Sequence, residues 1–174
     1  MSRAARVLVV NPNSSEAVTR GVDAALEPLR HPGGPVIECA TLAEGPPGIQ
    51  SERDVSDVAA PLCALAKRED NATDAFVIAC YSDPGLHVAR EGTASPVFGI
   101  AESGVLTALA RADRFGVIAI KSRSIPRHIR YLRQMGLMER LAGERPLEMS
   151  VAETASGDRT LERMIAIGRE LKEI

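Results

Sequence analysis

Short apolar runs alternate with stretches of helical periodicity along this chain, and no other feature of the sequence restricts the fold as much. Residues 6–10 (RVLVV) are apolar without alternation, as expected of a parallel strand buried on both faces. The run stops at Asn-Pro-Asn-Ser-Ser, a cluster of turn and cap residues. Ser14 is placed to cap a helix carrying Val18, Val22, Ala25 and Leu29 on one face, and residues 31–35 (HPGGP) end it. Residues 36–41 are the second strand, and residues 43–52 (AEGPPGIQSE) are too rich in Pro and Gly for anything but a loop. The next helix carries Val55, Val58, Leu62 and Leu65 at helical spacing. Residues 74–80 (DAFVIAC) are the third strand, a short helix follows Asp-Pro-Gly, and residues 96–100 (PVFGI) are the fourth strand. Residues 102–113 then read as a helix with Val105, Leu106 and Leu109. Strands alternating with helices mean βαβ units, a parallel sheet and right-handed crossovers.

The pattern then restarts. RVLVVNPNSS from Arg6 and RFGVIAIKSRS from Arg114 share the order Arg, apolar strand, Ser-containing turn, helix. Ser124 is placed to cap the later helix with Pro126 in its first turn. Residues 147–152 are the expected next strand, and a last helix carries Leu161, Ile165, Gly168 and Leu171 on one face. The two starts lie 108 residues apart, so the counterpart of Cys80 would fall near position 188, past Ile174. The expectation is two pseudo-symmetric α/β halves, 1–101 and 102–174, the second incomplete.

Composition narrows the function classes. The 174 residues suffice for a real core, and 45% of them are hydrophobic. A net charge of -2 gives no electrostatic reason to expect nucleic acid or an anionic membrane as partner. No apolar run approaches a membrane span and the N-terminus has no signal-peptide core, so a cytoplasmic protein is expected. Aromatic residues make up 3% and Trp is absent, which argues against base-stacking surfaces. Cys39, Cys63 and Cys80 are an odd number without tight spacing, so neither a disulfide framework nor a metal site such as zinc is indicated. No GxGxxG or Walker lysine occurs, and GPPG matches neither phosphate fingerprint.

Within VIACYSDPGL, Cys80 stands at the carboxyl end of a strand, where parallel sheets bind ligands. Asp83 suits the cap and Pro84 the first turn of the helix that follows, and a helix N-terminus lowers a nearby thiol's pKa. Position alone leaves two readings open, a working thiol or a small buried hydrophobe. Cys39 and Cys63 read as core or half-buried filler. The turn at Asn11 caps a helix in any case, and its N–H groups with the Asn and Ser side chains would also cradle a carboxylate or carbonyl oxygen. His31 and His128 read as solvent-exposed, and His87 as structural or exposed.

Taken together, VLVVNPNSS, GPPGIQSE, VIACYSDPGLHVARE and PVFGIAESG resemble the hydantoin racemase family within the aspartate/glutamate racemase superfamily. The resemblance covers the chain from its first strand onward and is strongest from Val7 to Gly104. It implies two pseudo-symmetric α/β halves with the active site between them, no metal and no organic cofactor, a small-molecule substrate and a homo-oligomer. It also implies two cysteines, one per half, facing opposite sides of the substrate's asymmetric carbon. Carried over, Cys80 is the first of them. Asn11, Pro12 and Ser14 lie in the turn that approaches substrate, and Tyr81 and Ser82 offer N–H groups beside the thiol. Two departures stand out. Where the family has a pair of threonines, this chain has Ala119 and Ile120, and the family's second cysteine, in a Gly-Cys-Ala-Gly stretch, would lie beyond Ile174. The expected activity is a thiol-based racemase or epimerase of a hydantoin-like or related amide or amino-acid substrate. A decarboxylase or cis–trans isomerase of the same fold, or an inactive small-molecule-binding relative, are the alternatives.

Overall fold

In the computed structural model, which describes residues 3–154 and 158–174, the alternation resolves into two parallel sheets. Strand β1 (Arg6–Asn11) leads to helix α1 (Glu16–Leu26), β2 (Val36–Thr41) to α2 (Glu52–Glu69), β3 (Ala75–Ile78) to α3 (Leu86–Gly92), and β4 (Val97–Gly99) to α4 (Ile100–Leu109). Then follow β5 (Phe115–Ala119), α5 (Ile125–Gln134), β6 (Leu141–Pro146), α6 (Val151–Thr154) and α7 (Asp158–Lys172). The first sheet has the order β2-β1-β3-β4 with every pairing parallel, and the second pairs β5 with β6, also in parallel. This is the α/β class that the βαβ alternation predicts. The chain divides into two compact units. One comprises Met1–Ile49 and Arg53–Glu102, the other Gln50–Glu52 and Ser103–Ile174. No described helix is long and apolar enough to cross a membrane.

In the first unit β1 has a strand on either side, and Leu8, Val9 and Val10 are all buried. Burial on both faces is the reason its sequence is continuously apolar. Leu8 and Val10 join Phe76, Ile78 and Val97 in one core with Val58, Leu62, Leu65 and Ala66 of α2 and Leu86 and Ala89 of α3. The face expected for α2 is therefore the one it buries. Helix α1 differs from expectation at both ends. Its cap is Ser15, whose hydroxyl accepts from the Val18 N–H at 3.4 Å, while the Ser14 N–H donates to Pro46 O at 2.9 Å. The Asn13 side chain accepts from the Ser15 N–H at 2.9 Å, which carries the turn one residue further before the helix starts. Leu29 falls in a 3-10 turn beyond the helix and is exposed, so the half-buried face is Val18, Val22 and Leu26.

In the second unit the strand after α5 is residues 141–146, not 147–152. Leu147 and Met149 are nonetheless buried with Ile167, and their N–H groups donate to Ala119 O (2.7 Å) and Ile120 O (3.1 Å). The apolar alternation was real, but it belongs to an extended segment bonded to the end of β5, and the helix α6 then opens at Val151. The face of α7 also differs. Leu161 and Ile165 are exposed, while Ile167 is buried and Leu171 half-buried. Gly116 and Gly143 decide this, because their missing side chains leave room for Leu171 to sit against the two strands. Glu144, next to Gly143 on β6, bonds His128 of α5. Neighbouring strand residues point to opposite faces, so α5 and α7 cover the two sides of this small sheet.

Candidate active site

The pairing of β1 with β3 builds the site. Val10 lies opposite Ile78, and the Ala79 N–H donates to Val10 O at 2.8 Å. Because the strands are parallel, the turn after Asn11 and the turn after Ala79 emerge at one carboxyl edge, the ligand edge of such sheets. Cys80 stands there, half-buried, with one side packed against the core of the first unit. Its N–H donates to Ile78 O at 3.0 Å, and its carbonyl accepts from the Asp83 N–H at 2.9 Å. Tyr81 and Ser82, within this closed turn, are half-buried.

The turn at Asn11 is fixed by its own side chains. Asn11 is 1% exposed. Its Nδ2 lies within bonding distance of Asn13 Oδ1 (3.0 Å), Ser15 O (3.2 Å) and Thr19 Oγ1 (3.0 Å), and its Oδ1 accepts from the Asn13 N–H at 3.2 Å. Pro12 is fully buried. Asn11 and Pro12 thus shape the turn from inside. Ser14 is half-buried, and its hydroxyl makes no hydrogen bond among the described residues. The Gly-Pro-Pro-Gly loop closes over the same turn through the Ser14–Pro46 bond.

Asp83 does not cap the helix that follows it. The residue before α3 is Gly85, with φ +72°, where any Cβ would press on Ala59 at 3.0 Å. Asp83 itself is 5% exposed and has φ +41°. Its carboxylate reaches α4 instead, accepting from the Ala101 N–H at 3.0 Å and the Glu102 N–H at 2.8 Å. Strand β4 ends at Gly99 and α4 begins at Ile100, so that helix has no loop of its own to provide a cap. Arg90 of α3 donates to Val97 O at 2.9 Å and to both Glu102 oxygens at 3.2 and 2.5 Å. The guanidinium bonded to Glu102 holds its carboxyl below the usual carboxylate range.

The remaining candidates sit elsewhere. In the second unit Ala119 is buried and Ile120 half-buried, and both carbonyls are bonded to the 147–149 segment. Burial pushes the Cys39 thiol up to about 11, with the nearby Asp23 carboxylate adding to the effect. Cys63 on α2 donates to Val88 O at 3.6 Å. A cavity of about 540 Å³ beside β2 is lined by Arg6, Asp23, Glu38, Cys39 and Glu69, among others, but not by Cys80. Its charges are matched within the fold, Arg6 bonding Glu38 at 2.7 Å and Glu69 at 3.2 Å, so it shows no demand for a ligand. His128 is buried, not exposed, with Nδ1 2.5 Å from Glu144 Oε1. His87 is exposed. No cluster of three or more His, Cys, Asp or Glu suited to a metal ion occurs among the described residues. Reading the sequence missed the Asp83, Arg90 and Glu102 arrangement. Its one signal was an acid and an arginine in the thiol segment facing a helix start with no cap in the other segment.

A model of the Asp/Glu/hydantoin racemase family matches residues 7–173. The chain is 38% identical over 119 residues to a hydantoin racemase of a Pseudomonas species, covering 68% of this chain and 47% of that protein. It is 37% identical over 141 residues to a hydantoin racemase of Paenarthrobacter aurescens, covering 79% of this chain and 58% of that one. The chain thus spans about half the length of the curated relatives it matches. Among solved structures, the allantoin racemase from Klebsiella pneumoniae superposes with a TM-score of 0.89 at 29% identity, covering 98% of this chain and 70% of that one.

Proposed function

The chain belongs to the Asp/Glu/hydantoin racemase family, and from that membership we propose that it carries part of a racemase or epimerase site for a hydantoin-like or related amide or amino-acid substrate, with Cys80 as one of the two acid–base groups that inversion needs. The observation that carries this reading is the shared sheet edge, where β3 delivers Cys80 beside the turn that β1 delivers. The relatives named for hydantoin and allantoin support the substrate class, since allantoin is itself a 5-substituted hydantoin.

The chemistry asks for what this edge offers. A proton must leave a carbon next to a carbonyl and return on the other face. The Cys80 thiolate takes the proton, the electron pair of the broken C–H bond moves into an enolate, and the thiol so formed returns a proton to that same face, while return on the opposite face needs a second donor. Thiols suit the step because their pKa is tunable toward neutrality, where general acid–base catalysis works best. The enolate oxygen needs aimed donors. We assign these to the Ser14 hydroxyl and to the N–H groups of Tyr81 and Ser82. Ala119 and Ile120 stand where the family resemblance places hydroxyl donors, so this chain offers no hydroxyl at those two positions. Asn11 and Pro12 act by holding the Ser14 turn. Cys39 and Cys63, engaged with Asp23 and Val88, take no part.

The test is proton NMR with polarimetry in heavy water, using 5-methylhydantoin and allantoin as separate substrates. The expected result is loss of the C5–H signal above the buffer rate, reduced at least about a hundredfold in Cys80→Ser, the range in which acid–base groups act. Exchange at the parent rate in Cys80→Ser would remove the thiol from the mechanism. Binding of either compound without any exchange would make the chain a binding protein.

A further inference from the structure

We infer that Asp83 is a positioning residue for the Cys80 thiol, fastening the turn of residues 80–85 to the first amides of α4. The inference goes beyond the proposed activity and rests on Cys80 being its working thiol.

Asp83 sits between two structures and is bonded to both. On one side its N–H donates to the Cys80 carbonyl at 2.9 Å. On the other its two carboxylate oxygens each accept one amide, from Ala101 and Glu102. A non-glycine residue at φ +41° is strained, and such conformations persist only where surrounding structure fixes them. Here the fixing structure is the helix end, whose first amides have no cap from their own segment. The chain makes room for the arrangement at Gly99, where any Cβ would collide with the Asp83 carboxylate. Arg90 strengthens it from α3, holding Glu102 by its side chain while Asp83 holds it by its N–H. The two sequence segments that carry the family resemblance here are therefore one physical unit. The first supplies the thiol, Asp83 and Arg90, and the second supplies Gly99, the two amides that Asp83 accepts from and the Val97 carbonyl and Glu102 carboxylate that Arg90 donates to.

A thiol on a loose turn would still be a thiol, but not an aimed one. Misplacing a reacting group by about 1 Å costs about a hundredfold in rate. Asp83→Asn and Asp83→Ala separate aim from charge. Both remove the negative charge, but only Asn keeps an oxygen to accept an α4 amide. The experiment compares these variants with Gly99→Ala, which crowds the carboxylate off α4 while leaving Asp83 present. Leu62→Ala, a change in the core against which Cys80 packs that leaves the Asp83 bonds to α4 intact, controls for lost stability. Two readouts are taken on each folded protein, the plateau of the Cys80 alkylation rate by iodoacetamide against pH, and kcat and KM for C5–H exchange.

In Asp83→Ala and Gly99→Ala the turn opens, so the alkylation plateau rises at least about fivefold while kcat for exchange falls about tenfold or more, with KM within about threefold. Asp83→Asn stays within about threefold of the parent on every readout, and Leu62→Ala within about twofold on the plateau. An unchanged plateau in both Asp83→Ala and Gly99→Ala overturns the inference. So does a plateau in Leu62→Ala that rises as far as in Asp83→Ala at equal loss of Tm. Should Asp83→Ala fail to fold, Gly99→Ala against Asp83→Asn decides by the same criterion. If Cys80→Ser exchanges normally, the proposed function fails, while the alkylation plateaus still decide whether Asp83 positions the thiol.

Discussion

Cys39, Cys63 and Cys80 are all half-buried, so accessibility alone does not rank their reactivity. Their surroundings do. The thiolate is the nucleophile, and a Cys39 thiol raised to about 11 is almost wholly protonated at pH 8. Iodoacetamide at that pH, followed by peptide mapping, should modify Cys80 ahead of Cys63 and Cys39. If Cys80 proves the slowest of the three, it is a core residue and the site is misassigned. Cys39 also predicts a pH dependence of stability. Its folded pKa is raised from an ordinary 9.0, so the unfolded chain loses this proton first as pH rises. The contribution is fully present below pH 9 and is lost as pH climbs through about 11. Urea unfolding should therefore show stability declining over that window, and Cys39→Ala should flatten the decline.

Side chains hold the elements of this fold both at their own ends and across to neighbouring elements, and the cost of losing each differs with burial. Ser15 caps α1 through a long bond at its exposed N-terminus, so Ser15→Ala should cost about 1 kcal/mol in urea unfolding. Ser14→Ala should leave stability within about 0.5 kcal/mol, since Ser14 enters the fold through its backbone. Equal losses at the two positions would mean the cap is misplaced. The contact joining α5 to β6 is worth more. His128 and Glu144 are both buried, and Glu144 Oε2 has no hydrogen-bond partner among the described residues. Removing the imidazole by His128→Ala takes from the buried Glu144 side chain its hydrogen-bond partner on α5, at a cost of about 1–3 kcal/mol. The double variant His128→Leu with Glu144→Leu should recover much of that loss, because an apolar pair carries no desolvation penalty. A double variant as unstable as the single one would show that shape, not charge, dominates at this position.

At the scale of the whole molecule, the decisive quantity is the ratio of proton exchange to inversion. One thiol removes a proton and returns one to the same face, while inversion requires a donor on the far side. Cys39 lies in β2 beside Asp23 and Cys63 on α2 bonded to Val88, so the 174-residue chain brings one candidate thiol to the site edge. In heavy water it should exchange C5–H of one hydantoin enantiomer faster than it inverts it, with inversion weak or undetectable. NMR gives the exchange rate and polarimetry the inversion rate on the same sample. Inversion as fast as exchange would show that some other group supplies the second proton, and the two-thiol scheme would not describe this chain.

What the sequence determined by itself was local in the chain. Continuous apolar runs marked β1 and β3, Gly and Pro marked the loop at residues 43–52, whose last residue, Glu52, opens α2, and the strand-to-turn break at Cys80 marked the carboxyl edge of the sheet. Each of these follows from neighbours within a few residues, whose periodicity and backbone preferences act before any tertiary contact forms. The tertiary structure decided what those residues bond to. Asp83 looks like the cap of its own helix, yet it caps a helix 18 residues away, because Gly85 already serves α3 and α4 starts without a loop. His128 sits on a polar stretch of sequence, yet it is buried because Glu144 arrives from β6. The polar, glycine-containing β6 has no strand signature of its own, and forms because β5 offers it a parallel partner. The buried side of α7 is chosen by two glycines far off in sequence, not by its own apolar count. Caps, buried pairs and helix faces are settled by approach between distant segments, and a polar residue's sequence neighbourhood does not say which distant amide or carboxylate will come within 3 Å of it.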